Sequence, residues 1–179
     1  MADLCLQHLL DEHRCFERTL AALDFMLAAA KNPQPVSASA WMAAVELVRS
    51  LNAAAQLHVQ KEEQVLFLEL ENFLPREMGP LAVLRGEHHD LAREAATLLS
   101  AAEALAAAGH VPDVVEQFDR AGRNLLRLVR DHFYKEERVL FPMVARFLSP
   151  ERDAHLLERM RGLDGSGSGP GAAQDASGG

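Results

Sequence analysis

Two ten-residue segments of the chain carry the same polar pattern. His58-Val-Gln-Lys-Glu62-Glu63-Gln-Val-Leu-Phe67 and His132-Phe-Tyr-Lys-Glu136-Glu137-Arg-Val-Leu-Phe141 agree at seven of ten positions. A shorter pair, Glu12-His13 and Glu87-His88, repeats at an offset of 75 residues, against 74 for the longer motif. Residues i and i+4 of an α-helix lie about 40° apart around its axis. His58 and Glu62 therefore present an imidazole and a carboxylate to one point, and so do His132 and Glu136. With His13 and His88 the set is four imidazoles and two carboxylates. Buried carboxylates without partners are costly, and coordinating a metal removes that cost. Two carboxylates can bridge two ions, each of which then takes two terminal histidines. Open positions remain for an oxo or hydroxo bridge and for a small exogenous ligand. Nitrogen and oxygen donors without thiolate suit iron or manganese, and zinc less distinctively. Two iron ions are the first choice.

Such a set works only if the chain brings it to one place. Alanine and leucine dominate and β-branched runs are few, which favours helix over strand. Turn signals cut the chain into four long pieces: about Asp3 to Lys31, Ser37 or Ser39 to just before Pro75, Pro80 to Gly109, and Pro112 to about Leu148. Ser149-Pro150 opens a short fifth helix ending near Leu163. Each long piece has an apolar stripe at 3-4 spacing, interrupted only by these histidines and glutamates; Leu6, Leu9, His13, Phe16 and Leu20 illustrate it. Short connections between four stripes predict an all-α fold, an antiparallel up-down-up-down four-helix bundle. Counted from one end at 1.5 Å per residue, the four ligand positions fall at about 27–33 Å, within one helical turn. Any one such histidine reads as an ordinary core histidine, and either glutamate alone as a solvated helix residue. The inference rests on the coincidence of type, spacing and height.

The neighbouring carboxylates are candidates for the outer layer. Glu63 and Glu137 are rotated by about 140° from their histidines, outside the ligand face, and read as outer-layer or surface residues, although a local distortion of the helix would let either replace its neighbour. Glu12 and Glu87 precede the lone histidines; either they orient an imidazole, as metal-bound histidines require, or they face solvent. Glu17, four residues after His13, is a further candidate, although Phe16 takes the core-facing position. His8, His89, His110 and His155 fall off the stripes and read as surface residues. Tyr134 and Trp41 read as packing residues, and Pro142 predicts a kink just past the site.

The 179 residues, 49% apolar and 25% charged, fit one ordinary domain. A net charge of −8 argues against nucleic acid as a partner. No apolar run approaches the roughly 18–20 residues of a membrane span. The start, Met1-Ala2-Asp3-Leu4, has no basic region before an apolar one, so a cytoplasmic location is expected. Cys5 and Cys15 would lie about 15 Å apart on one helix, too far for a disulfide. Residues 164–179 are rich in Gly and Ser and are expected to form a disordered tail after a domain spanning 1–163.

The paired Glu-His motifs, together with the two H-x-x-x-E-E-x-x-L-F segments, resemble the hemerythrin-like, or HHE cation-binding, family over roughly residues 4–148. The resemblance implies a non-haem di-iron centre in a four-helix bundle, with ligands on His13, His58, Glu62, His88, His132 and Glu136. Oxygen-carrying hemerythrins have a fifth histidine one turn beyond that of the third helix, where this chain has Ala92. They also place the last carboxylate five residues after its histidine, where this chain has Glu137 beside Glu136. The four-histidine, two-glutamate pattern is more similar to the iron-sulfur-cluster repair (nitric oxide stress) branch, without that branch's N-terminal cysteine module. The expected function is to bind or react with O2, NO or peroxide, or to handle iron under oxidative or nitrosative stress, with a separate redox or iron-accepting partner. The alternatives are an iron store, scavenger or iron-donating repair protein without turnover, and a metal-free interaction bundle. A ferritin-like carboxylate oxidase would want Glu-x-x-His motifs and more carboxylates.

Overall fold

The structure, a computed structural model, describes residues 4–32 and 36–166. Among these there is no strand. Helix α1 is Leu4–Ala30 and α2 is Ala38–Lys61. The second rod continues through a π-helical turn, Glu62–Leu66, into a last helical turn, Phe67–Leu70. Helix α3 is Pro80–Ala108 and α4 is Pro112–Lys135. The fourth rod repeats the device, with a π-helical turn at Glu136–Leu140 and a last turn at Phe141–Val144. Helix α5 is Pro150–Ser166.

The boundaries follow local chemistry. The Ser37 hydroxyl accepts from the Ala40 N–H at 3.3 Å, capping α2. Pro80 and Pro112 occupy first turns, where a missing N–H costs nothing. Gly79 and Gly109 bracket α3 at φ 77° and 78°, a region unfavourable to side chains. The expected tail boundary is displaced: α5 runs through Asp164 to Ser166, because the Asp164 carboxylate pairs with Lys61 at 2.5 Å and with His8 at 3.3 Å. Residues 167–179, the rest of the expected tail, lie outside the described residues.

Contacts along the rods run in opposite senses. Between α1 and α2, His8 meets Lys61 and Glu12 meets His58. Between the second rod and α3, Glu63 meets His88 while Arg49 meets Glu103. Between α1 and the fourth rod, His13 meets Glu137 while Lys31, just past the helix, meets Asp119. Helices α3 and α4 pack along each other and close the ring. At Gly122 of α4 the packing is tight: a Cβ there would lie 2.5 Å from Leu27 of α1.

The interior has two apolar halves. One is built around Leu20, Leu23, Trp41, Val48, Leu98 and Phe118. The other is built around Leu9, Leu66, Phe67, Leu81, Phe141 and Val144, and α5 covers it with Leu156, Leu157 and Met160. Each fully buried leucine contributes about 1.5–3 kcal/mol. The Asp153 carboxylate on α5 accepts from the N–H groups of Leu4 (2.7 Å) and Cys5 (2.9 Å), two donors that the start of α1 leaves open. Cys5 is buried and Cys15 exposed on α1, with no disulfide between them. No described helix is long and apolar enough to cross a membrane.

Candidate metal centre

A polar layer separates the two apolar halves. His13, His58, His88 and His132 are buried in it, and Glu62 and Glu136 have no exposure at all. Their atoms fall into two groups. His13 Nε2 and His58 Nε2 lie 3.2 Å apart, with Glu62 Oε1 3.3 Å from His58 and Glu136 Oε2 3.3 Å from His13. His88 Nε2 and His132 Nε2 also lie 3.2 Å apart, with Glu62 Oε2 3.1 Å from His88 and Glu136 Oε1 3.3 Å from His132. Each glutamate thus gives one oxygen to each histidine pair. All six residues expected from the sequence come together.

The donor chemistry fits cations. None of the four carboxylate oxygens accepts a hydrogen bond, although each lies within 3.3 Å of a ring nitrogen. These contacts are close but misaligned as hydrogen bonds. Ligand atoms about 2.1 Å from a shared ion sit about 3.0 Å apart at right angles and about 3.4 Å apart at tetrahedral angles. The observed separations of 3.1–3.3 Å lie in that interval. Four ligand atoms of each group lie within 4.8 Å of one another, so each group could hold one metal ion.

Every imidazole is held from behind by a carboxylate on a neighbouring rod. His13 Nδ1 meets Glu137 at 2.9 Å, His58 Nδ1 meets Glu12 at 2.7 Å, His88 Nδ1 meets Glu63 at 2.6 Å and His132 Nδ1 meets Glu87 at 3.0 Å. A carboxylate accepting at Nδ1 fixes the proton there and leaves the Nε2 lone pair free, the tautomer a ligand needs. Glu63 and Glu137 do point away from the histidines of their own helices; they reach those of the next rod. Glu12 and Glu87 are partly buried, and their oxygens hold ring N–H groups rather than only facing water. Lys61 and Lys135 in turn hold Glu12 and Glu87. Glu17 stands apart: it is half exposed and pairs loosely with Arg130 at 3.8 Å.

Reading by stripe misses Lys61 and His8. Lys61 is 1% exposed, its ammonium enclosed by Glu12, His8 and Asp164 under α5. Its retention in both copies of the repeat was the available signal. His89, His110 and His155 are exposed, as expected for surface residues. No kink is needed from Pro142 to explain the π-helical turn at Glu136–Leu140. The same turn forms at Glu62–Leu66, where the matching position is Leu68.

Without a cation, protons are the only compensation available. Burial pushes the His58 imidazole down, but the Glu62 charge and the Glu12 hydrogen bond outweigh it and lift it to about 10. His132 is pushed down by burial in the same way and lifted by Glu136 to about 9. Burial raises the Glu62 carboxyl, and the His58 charge holds it well below the ordinary range.

A family model described as the hemerythrin HHE cation binding domain matches residues 6–144. The chain belongs to that family. A second match of this hemerythrin model, over residues 80–163, begins at α3. It starts where the second helical hairpin starts, in keeping with the internal repeat. The HHE match spans all the histidines and glutamates of the layer. A search of curated proteins gave no match.

Proposed function

We propose that the chain is a di-iron hemerythrin-like protein that binds or reacts with O2, NO or peroxide. The observation that carries this reading is the sharing of Glu62 and Glu136. Each offers one oxygen to the His13/His58 pair and one to the His88/His132 pair, and all four oxygens lack hydrogen-bond partners. Two cations held by His13, His58, Glu62, His88, His132 and Glu136 would satisfy all of them. Charge points the same way: six carboxylates touch the four imidazoles and only two lysines touch those carboxylates, leaving a surplus of negative charge for cations to balance. Histidine and carboxylate donors without thiolate suit iron, with manganese or zinc as lesser fits.

Two bound irons supply positions for a small ligand and electrons to exchange with it. The chain's own groups do the rest. Glu12, Glu63, Glu87 and Glu137 hold the ring protons at Nδ1 and fix the orientation of each imidazole. Lys61 and Lys135 hold two of those carboxylates in place. The apolar halves above and below keep Glu62 and Glu136 from contact with solvent. The partners proposed are the small ligand and a redox or iron-accepting protein, with neither nucleic acid nor membrane, and the proposed compartment is the cytoplasm. The ligand set favours the iron-sulfur-cluster repair branch over the oxygen carriers, since Ala92 replaces the fifth histidine.

The test is the visible spectrum of the anaerobically iron-loaded, reduced protein on adding O2, NO or hydrogen peroxide. A spectral change with at least one of the three is expected. Reversal on removing O2 would mark a carrier, and irreversible oxidation a redox, repair or storage role. An iron-loaded protein unchanged by all three would overturn the reading.

A further inference from the structure

The two halves of the repeat fill the space beside the polar layer differently. In one half Phe133 stacks on His13 with ring centres 3.8 Å apart, and Phe16 packs against Phe133 at 5.8 Å. Leu20 completes that side, fully buried. At the repeat offsets the matching residues around His88 are Val59, Leu91 and Ala95. Each is smaller than its counterpart. The missing volume is a cavity of about 510 Å³ floored by His58, His88 and His132. It reaches the surface between α2 and α3, beside the exposed Gln56, Gln60, Ala92 and Ala96.

A molecule the size of water needs about 30 Å³, so the space far exceeds what a diatomic ligand requires. It falls within the roughly 300–1,000 Å³ of sites for organic molecules. Away from its histidine floor the lining contains no Lys, Arg or Asp, and its one carboxylate, Glu63, is engaged by His88. The walls are alkyl and aromatic, from Leu51, Leu99, Leu125, Val129 and Phe133, and neutral amides stand at the mouth.

We propose that this cavity binds a neutral, largely apolar organic molecule, its polar end at the Gln56 and Gln60 amides and its apolar body against the His88/His132 side of the layer. Its place beside a metal pair rests on the function proposed above; the cavity itself does not. The test is a fluorescence titration of the metal-loaded protein with 1-aminoanthracene, a neutral dye, with n-octanol as competitor. Metal content is measured on the same samples. One saturable dye site per chain, displaced by octanol, is expected. Val59→Phe and Ala95→Leu, which copy the filled half, should each weaken binding about tenfold or more. Ala96→Leu, at the exposed mouth, serves if either core variant fails to fold. Absence of saturable binding, or unchanged binding in the folded variants, would overturn the proposal. Metal retained without dye binding would defeat the cavity alone; dye bound without metal would defeat the metal reading alone.

Discussion

At the scale of residues, burial and pairing decide what each group can do. Glu62 and Glu136 are fully buried, with four oxygens left for cations. Because Glu62 serves both positions, Glu62→Ala should lower the occupancy of both, whereas His13→Ala should weaken only the His13/His58 position; metal analysis after desalting separates the two. Behind the ligands, Glu12 acts only through His58. Glu12→Gln should keep the fold and lower metal affinity about 10–100-fold, measured by chelator competition. Protons and cations compete for the same nitrogens, which gives a pH signature. With His58 at about 10 and His132 at about 9, the metal-free protein gains stability from charged imidazoles. That gain is complete below the ordinary histidine value of 6.5 and is lost as pH rises through about 9–10. The loaded protein uses neutral imidazoles, so its stability should rise with pH as protons cease to compete. Thermal melts from about pH 6.5 to 10, with and without chelator, should therefore slope in opposite directions; parallel slopes would contradict the account. The six inner residues were legible in the sequence because i, i+4 spacing and the repeat both survive folding. The roles of Glu63 and Glu137 were less so: their partners, His88 and His13, sit on other rods, and a helical wheel describes only one.

At the scale of elements, caps and close approaches set the frame. Asp153 supplies from α5 acceptors for the Leu4 and Cys5 N–H groups at the start of α1. Replacing it with Ala should cost about 1 kcal/mol, read from a denaturant midpoint shift. Burial raises the Asp153 carboxyl, and hydrogen bonds from the Cys5 side chain and from the Cys5 and Leu4 N–H groups outweigh this and lower it, so its contribution is lost on acidification. At Gly122, a methyl group would press three atoms of the fully buried Leu27. Overpacking of about 1–3 kcal/mol competes there with about 1 kcal/mol of gained helix propensity. Gly122→Ala should therefore be neutral to destabilising by about 2 kcal/mol, never stabilising. Helix starts were legible from Ser37, Pro80 and Pro112, whose chemistry is local. The π-helical turns were not, since His58-x-x-x-Glu62 reads the same whether an α-helix or a π turn follows. The repeat of the turn after both glutamates, one copy without proline, ties it to the shared motif rather than to Pro142.

At the scale of the whole molecule, the chain is a doubled hairpin whose halves have diverged around a common centre. The centre keeps the symmetry: every inner histidine and glutamate, outer carboxylate and lysine has a counterpart 74 or 75 residues away. The surroundings break it twice, once where α5 encloses Lys61 but leaves Lys135 44% exposed, and once where Val59, Leu91 and Ala95 leave space beside His88. Neither break was legible from one helix at a time, because each depends on what a distant segment covers or fails to fill. If six residues from two hairpins hold one metal pair, the metal count per chain after anaerobic loading with ferrous iron and desalting, for the natural protein and for Glu62→Ala, reads it directly. Two ions are expected in the first and fewer than one in the second. No retained metal, or a count unchanged by Glu62→Ala, would contradict it.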